Sequence, residues 1–361
     1  MSREKESERT CGEAKEAAVA LTDEELDRLI EEFDRELAEL DLRGHWARAV
    51  RTRPEPRPKL WKWDTIYTQL MRAGELIGLD SRAHSDRRTL QLIPPGQDRT
   101  SPNVQMSVQL VKPGESATAH RHTFAATRFI VQGDGAYTTV DGEPLYLSAG
   151  DFVTTPSMSY HDHTNESTQN IIWLDVHDGP LTGKIGAQTF RDDYPAPVQP
   201  LTRSAGTSRD LAGVVRPANR ATHPAQQPAA YAWSEVRPAL ERAAEGPADP
   251  WEGILLDYVN PVTGGHLLPT LGARIQMLLP KMHTQPHRHT SSTIHHVVEG
   301  EGVTVIGDER LEWSKGDCFT IPTWKWHSHE QVGTAPAILF SAHDQPVLEA
   351  LNYFREEREE D

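Results

Sequence analysis

The run His120-Arg121-His122 is followed, 167 residues later, by His287-Arg288-His289. A lone His-x-His says little, but here the neighbours repeat with it. Gly133 and Gly135 correspond to Gly300 and Gly302 at the same offset of 167, and Gly150-Asp151, Pro156 and His161 correspond to Gly316-Asp317, Pro322 and His327 at 166. Glycines, aspartate, proline and three histidines do not align this way by chance, so whatever unit the chain folds into must be built twice. One residue is missing from the second copy between the two sets, and a hairpin loop is where we expect the loss to be tolerated.

The unit is all-β. In extended backbone residues i and i+2 share a face, so His120 and His122 offer two imidazoles to one point. Short apolar runs surround them at Val104–Val111, Thr127–Gln132, Ala136–Val140, Leu145–Leu147 and Phe152–Thr155, and Asp141-Gly142 between two of these is a hairpin-turn signal. Strands of this length and spacing make a sandwich or small barrel, whose interior brings His161 in from a neighbouring strand as a third ligand.

Outside the repeats, Thr22-Asp23-Glu24-Glu25 reads as a capping box, followed by Leu26, Leu29, Ile30, Phe33, Leu37 and Leu40 at helical spacing. Pro54, Pro56 and Pro58 suggest an extended linker, and Leu60-Trp61-Lys62-Trp63 through Leu79 predicts a second helix. Residues 195–230, rich in Pro, Ala, Thr and Gln, read as a linker, and Trp233 to Ala244 as a short helix. The expected division is an N-terminal extension with helices over 1–85, a first barrel over 86–194, a linker with a short helix over 195–250, and a second barrel over 251–361.

A net charge of −16 argues against general nucleic-acid or anionic-membrane binding, since both need basic surface. It leaves room for an anionic substrate held by a few local arginines. Cys11 and Cys318 are too few for a disulfide framework, and no apolar run approaches the length of a membrane span or the core of a signal peptide. A cytoplasmic protein is the expectation.

Gly114 stands six residues before His120, and Gly150, Pro156 and His161 follow in order; these two motifs resemble those of the cupin superfamily. Cupins usually place a glutamate four or five residues after the second histidine. This chain has Ala126 and Thr127 there, and Thr293 and Ile294 in the second copy. Three neutral imidazoles without a carboxylate leave a divalent metal its full charge, which suits chelation of an anionic substrate with positions open for oxygen.

The stretch His120-Arg-His-Thr-Phe-Ala-Ala-Thr-Arg128-Phe-Ile-Val-Gln-Gly133 and the pair Gly150-Asp-Phe-Val-Thr-Thr-Pro156 and His161-Asp-His-Thr-Asn165 are similar to the first cupin of gentisate 1,2-dioxygenases. That bicupin family includes salicylate and 1-hydroxy-2-naphthoate ring-cleaving dioxygenases. Leu60–Trp63, Asp86–Arg88, Trp173–Asp175, Tyr258–Gly265, His287–Ser292 and the tail Phe340 to Glu356 carry the resemblance across residues 45–356. It implies two tandem cupin barrels (double-stranded β-helix, or jelly-roll) with N-terminal helices. It further implies Fe(II) held by His120, His122 and His161, and a homotetramer. The implied substrates are a small aromatic hydroxy-carboxylate and O2. Gentisate is the leading expectation, with salicylate, a substituted salicylate or 1-hydroxy-2-naphthoate as alternatives. The ring opens between the carboxyl- and hydroxyl-bearing carbons, and both oxygen atoms enter the product.

Several residues are expected around that metal. Arg128, an even step from His122 on one strand, faces the same interior, and its fork suits a carboxylate. Gln109 is a candidate hydrogen-bond partner of the substrate, His163 an acid/base or an orienting residue, and Asp175 a buried carboxylate tuning the network. Arg87 or Arg88 matches a family arginine of the substrate pocket. Gln105 and Ser107 stand where the family has an aromatic residue and a glycine lining the ring pocket. His287, His289 and His327 form a possible second metal site. The competing readings are a non-catalytic metal- or small-ligand-binding cupin and a manganese-dependent bicupin oxalate enzyme, the latter needing three histidines and one glutamate in each barrel.

Overall fold

A computed structural model describes residues 22–42, 56–79, 87–186, 191–210 and 228–359. The chain divides into two compact units, residues 1–55 and 56–361. In the first, a helix spans Asp23–Glu39. Thr22 caps it, accepting from the Glu25 N–H while the Glu25 carboxylate accepts from the Thr22 N–H, the reciprocal pair that the sequence announced. Its apolar stripe, with Leu26, Leu29 and Phe33, is exposed.

The second unit carries the duplication. Each half is two antiparallel sheets facing one another. In the first half a six-stranded sheet runs in the order Ala230–Tyr231, Phe152–Thr155, Ala126–Gln132, Ile171–His177, Gln105–Val111, Thr89–Gln91. It faces a five-stranded sheet in the order Arg191–Asp193, Ser116–His122, His161–Asn165, Asp134–Val140, Glu143–Ser148. The second half repeats the plan. Its six-stranded sheet is Lys59–Trp61, Cys318–Ile321, Thr293–Glu299, Ala337–His343, Gly272–Leu278, Ile254–Asp257, and its five-stranded sheet is Glu309–Ser314, Glu301–Ile306, His327–Gln331, His287–His289, Glu356–Arg358.

Three apolar clusters hold this together, and strand alternation explains all three. Inward residues such as Ile130, Val153 and Trp173 fill one end of the first barrel, and Val297, Phe319 and Leu339 do the same in the second. The outward residues of the two six-stranded sheets meet back to back: Phe129 stacks on Phe340 at 4.5 Å and Phe152 packs on Tyr258 at 4.7 Å. Both faces of these sheets are therefore buried, which is why Gln105–Val111 and Ala337–His343 are buried throughout.

The halves also exchange strands. Lys59–Trp61, expected to begin a helix, is an edge strand of the second barrel, with Leu60 opposite Phe319. The helix starts only at Trp63, whose N–H donates to Asp317 at 2.8 Å. Residues placed in the linker do the reciprocal thing. Ala230–Tyr231 pairs with Phe152 and Val153 of the first barrel, and the Trp233 N–H, at the head of the helix Trp233–Ala243, donates to Asp151 at 2.8 Å. The repeated Gly-Asp is thereby explained. A Cβ on Gly150 would lie 2.5 Å from Trp233, and one on Gly316 would lie 2.5 Å from Trp63. Each glycine seats a tryptophan and each aspartate caps the helix behind it, both borrowed from the other half of the duplication.

Asp141-Gly142 is a two-residue turn with positive φ at both positions (46° and 79°), as a type I′ hairpin requires. The missing residue is not in that loop. The first hairpin has a bulge between Asp134 and Ala136, whereas its counterpart pairs regularly from Glu301 to Ile306. Gly135 is the extra bulge residue, and Gly302 aligns with Ala136 rather than with it.

Candidate metal centre and pocket

His120 and His122 project from the strand Ser116–His122 into the first barrel, and His161 stands directly opposite His120 on the neighbouring strand. Their ligand atoms lie within 4.8 Å of one another, and all three rings are buried. Backbone carbonyls set the tautomers. His122 Nδ1 lies 2.6 Å from Phe124 O and His161 Nδ1 3.0 Å from Ser159 O, which leaves the Nε2 lone pairs facing inward. Phe124 stacks on the His122 ring at 3.6 Å and fixes its plane. Burial, then the neighbouring histidines and Arg128, pushes His161 well below the ordinary imidazole range; burial and His120 take His122 down to about 2. Both rings are therefore neutral, as metal ligation requires. His120 differs from its partners: Nδ1 meets Thr118 O at 3.2 Å and Arg87 Nη2 at 2.7 Å. A metal on Nε2 puts the proton on Nδ1, an arrangement that Thr118 O accepts and Arg87 opposes.

Beside the triad, buried polar atoms without a hydrogen-bond partner converge: His161 Nε2, His163 Nε2, Arg128 Nε, Gln109 Nε2, Asp175 Oδ1 and Trp173 Nε1. Strand register puts them on one inner face, with Arg128 and Ser107 both opposite Asp175, and Gln109 opposite Trp173. An orphaned buried donor or acceptor costs about 1–3 kcal/mol, so a cluster of them marks a place built for something else to fill. His161 Nε2 fits a metal, the donors Arg128 Nε, Gln109 Nε2 and Trp173 Nε1 fit the oxygens of an anionic ligand beside it, and Asp175 Oδ1 lies on the Arg128 side of the cluster.

Arg128 is almost wholly buried. Its Nη1 donates to Thr155 Oγ1 at 2.5 Å and its Nε lies 3.7 Å from Asp175 Oδ1. Burial lowers its pKa and Asp175 raises it. His163 is held by Thr138 Oγ1 at 2.9 Å from Nδ1 and packs on Trp173. Burial, then Arg128, keeps it neutral and well below its ordinary range.

The two arginines separate cleanly. Arg87 touches the triad. Arg88, a pocket candidate from the sequence, points the other way: it is fully buried, forks onto Glu115 with two 2.8 Å contacts and donates to Ile77 O and Leu110 O. Adjacent residues of an extended segment face opposite sides, and Arg88 closes the outside of the sheet. Gln105 also departs from expectation. Its amide is consumed by the Thr100 N–H, the Thr100 hydroxyl and Met106 O, so it pins the preceding loop instead of offering a free group to a ligand. Ser107 is buried opposite Asp175. Sequence reading gave no role to Thr138, Thr155 or His177, which is half-buried opposite Ala126 near Phe124. Only His177 had a signal, an even step from Asp175 on one strand; Thr138 and Thr155 lie on strands that carried no candidate.

His287, His289 and His327 reproduce the triad in the second barrel, again within 4.8 Å of one another and buried. Two histidine triads of this kind imply metal binding.

Comparison with known proteins agrees with this geometry. A family described as Cupin domain matches residues 107–177 and 274–343. The chain is 38% identical over 309 residues to the 5-aminosalicylate 1,2-dioxygenase of a Comamonas species, across 83% of this chain and 81% of that protein. It is 35% identical over 338 residues to gentisate 1,2 dioxygenase 1 of Aquipseudomonas alcaligenes, across 91% and 96%. In three dimensions it is similar to the crystal structure of salicylate 1,2-dioxygenase from Pseudoaminobacter salicylatoxidans with gentisate, with a TM-score of 0.81 and 28% identity over 92% of this chain and 94% of that one.

Proposed function

The chain belongs to the bicupin family of gentisate- and salicylate-type ring-cleaving dioxygenases, and on that premise we propose that it is an Fe(II) enzyme. It opens an ortho-hydroxy aromatic carboxylate between the carboxyl- and hydroxyl-bearing carbons. The preferred substrate is a salicylate with an electron-donating group at ring position 5: gentisate, with hydroxyl there, or its amino counterpart. The observation that carries the reading is the set of unpartnered buried polar atoms gathered beside a buried histidine triad. A passive ligand-binding cupin has no need of that arrangement. Oxalate chemistry is disfavoured because the metal-capable group in the first barrel consists of three histidines alone.

His120, His122 and His161 would hold the iron, which supplies open positions for a chelating hydroxy-carboxylate and for O2 and a path for electrons between them. The chain's own residues do the rest. Arg128 pairs with the substrate carboxylate, and Thr155 and Asp175 hold the guanidinium for it. Gln109 Nε2 and Trp173 Nε1 donate to substrate oxygens. His163, neutral and oriented through Thr138, takes or returns a proton at Nε2 as the phenol ionises and the product forms. Burial of the barrel interior keeps bulk water from these charges and strengthens each contact. A homotetramer in the cytoplasm is consistent with the family resemblance; among the described residues no helix is long and apolar enough to cross a membrane.

The test is to load apo-protein with Fe(II) under anaerobic conditions, then follow oxygen uptake and product absorbance. The substrates are gentisate, 5-aminosalicylate, salicylate and 1-hydroxy-2-naphthoate. Uptake of one O2 per ring, fastest with the first two, is expected. Absence of uptake with all four, despite bound iron, would overturn the reading.

A further inference from the structure

Asp178 and Asp344 correspond at an offset of 166. Each stands one residue past a core strand, Ile171–His177 or Ala337–His343, and at the head of a short helix, Gly179–Lys184 or Gln345–Ala350. An aspartate in that place ordinarily caps the helix with its side chain. Neither one does. Both are buried, and both carboxylates are committed elsewhere.

One oxygen serves its own barrel. Asp178 Oδ1 accepts from the Ala125 N–H at 2.8 Å, and Asp344 Oδ1 from the Ser292 N–H at 2.9 Å. Those N–H groups belong to the peptide units whose carbonyls meet the second histidine of each triad. Phe124 O lies 2.6 Å from His122 Nδ1, and Ser291 O lies 2.8 Å from His289 Nδ1. A peptide unit is planar, so fixing its N–H also fixes the direction of its C=O. The order in space is carboxylate, peptide, imidazole, with Nε2 at the far end. Hydrogen bonds in such a chain polarise one another: the carboxylate makes the carbonyl a better acceptor, and the carbonyl makes the imidazole more basic toward a metal.

The other oxygen reaches into the opposite barrel. Asp178 Oδ2 accepts from the Thr270 hydroxyl at 2.5 Å, and Asp344 Oδ2 from the Asn103 amide at 2.7 Å. Asn103 and Thr270 also correspond, at the offset of 167, each two residues ahead of a paired strand, Gln105–Val111 or Gly272–Leu278. The same tie is therefore made twice with the barrels exchanged. A hydroxyl does in one copy what an amide does in the other, so the feature kept is a donor to a buried carboxylate. Such a carboxylate holds its place only while its lone pairs are satisfied.

We propose that Asp178 is a positioning residue for the metal ligand His122, acting through the Phe124–Ala125 peptide, and that Thr270 of the second barrel holds it there. The affinity of the first triad for its metal then depends on a hydroxyl that the other half of the duplication supplies. This rests on the first triad holding a divalent metal and not on which aromatic acid is opened.

Metal binding tests it independently of turnover. Apo-protein carrying H287A and H327A, which removes two ligands of the second triad, is titrated with Co(II) and followed by its visible ligand-field bands. Near-ultraviolet circular dichroism checks the fold of each variant. In that background D178N, which exchanges the carboxylate for a neutral amide of the same shape, should weaken binding at least about tenfold and shift the bands, the size of effect that partners of metal ligands show. T270V, which keeps the shape and removes the hydroxyl, should weaken binding at least about threefold, and T270S should restore it. D344N touches the other triad's peptide and should leave this site unchanged. If D178N does not fold, the T270V and T270S pair decides. Unaltered affinity and bands in D178N would overturn Asp178 as a positioning residue, and unaltered affinity in T270V would overturn the part given to the second barrel. Equal weakening by D344N would make both aspartates general supports of the fold and overturn the proposal. No Co(II) bound with Asp178 intact would overturn the metal reading itself, and the proposal with it.

Discussion

Replacing Arg128 with methionine keeps the length of the side chain and removes its charge, and the structure separates two consequences. The first concerns Asp175, whose Oδ1 lies 3.7 Å from Arg128 Nε and lacks a hydrogen-bond partner. Its carboxylate loses its counter-charge in a mostly buried setting, and breaking one side of such a pair costs about 3–5 kcal/mol of stability. Asp175 keeps some exposure, which argues for the low end, about 3 kcal/mol. The second consequence concerns the substrate carboxylate, which loses its cationic partner in a dry pocket. Two charge-assisted hydrogen bonds at about 1.5–3 kcal/mol each give a loss of at least about 3 kcal/mol, or about 10²-fold or more in kcat/KM at 1.36 kcal/mol per decade. The double variant R128M/D175N tells them apart. Removing the orphaned carboxylate should return most of the melting temperature and none of the activity. The assay is oxygen uptake by the Fe(II)-loaded protein over a range of gentisate concentrations, alongside thermal unfolding of each variant. If R128M retains kcat/KM within threefold, or if D175N restores activity together with stability, Arg128 is not the carboxylate partner.

The exchanged tryptophans predict that Gly150→Ala and Gly316→Ala each destabilise by about 2–5 kcal/mol. Each adds a Cβ 2.5 Å from a ring atom at a φ near +90°, so strain and overpacking add; chemical denaturation measures it, and a loss under 1 kcal/mol would sink the strand-exchange account. Gln109→Leu should raise KM about tenfold and leave melting little changed, whereas Gln105→Leu should lower melting with KM held, since the Gln105 amide is bound to Thr100 and Met106; the reverse pattern would mean that Gln105 faces the substrate. The apo-protein should lose stability steeply as pH falls below about 6.5. Burial depresses His122 to about 2 and His161 and His163 well below their usual range, so protons bind the unfolded chain first and each histidine withdraws about 1.4 kcal/mol per pH unit below its unfolded value. Stability is whole above that value, and loading metal should move the acid midpoint downward; a flat profile from pH 7 to 5 would contradict neutral buried histidines.

The spacing of His120, His122 and His161 and its recurrence 167 residues on determined the duplication, the all-β class and both triads. These features were legible because strand alternation is local: it sets which residues share a face without reference to the rest of the fold. Arg128 was expected an even step from His122 along one strand, but the structure puts it on Ala126–Gln132 in the six-stranded sheet, whereas His122 ends Ser116–His122 in the five-stranded one, so its inward face is set by that sheet's own register. Local alternation also left a choice between Arg87 and Arg88 that only the finished sheet made, because one neighbour must face inward and the other outward and sequence has no fixed origin for that count. Gln105 lies on the inward register, and only its contact with the Thr100 loop removes it from the ligand.

Nor could spacing reveal which half each helix serves. The same Gly-Asp that reads as a turn within one repeat is a socket for a tryptophan arriving from the other, a pairing across 83 residues at Gly150 and 253 at Gly316. Asp178 is the extreme case. It belongs to no motif, and it meets the peptide behind His122 because the strand it follows pairs beside Ala126–Gln132. The sequence alone determined the ligands that one strand or one repeat can present. The tertiary structure decided which charges meet them, since charge pairing in a barrel depends on distance in space and not along the chain.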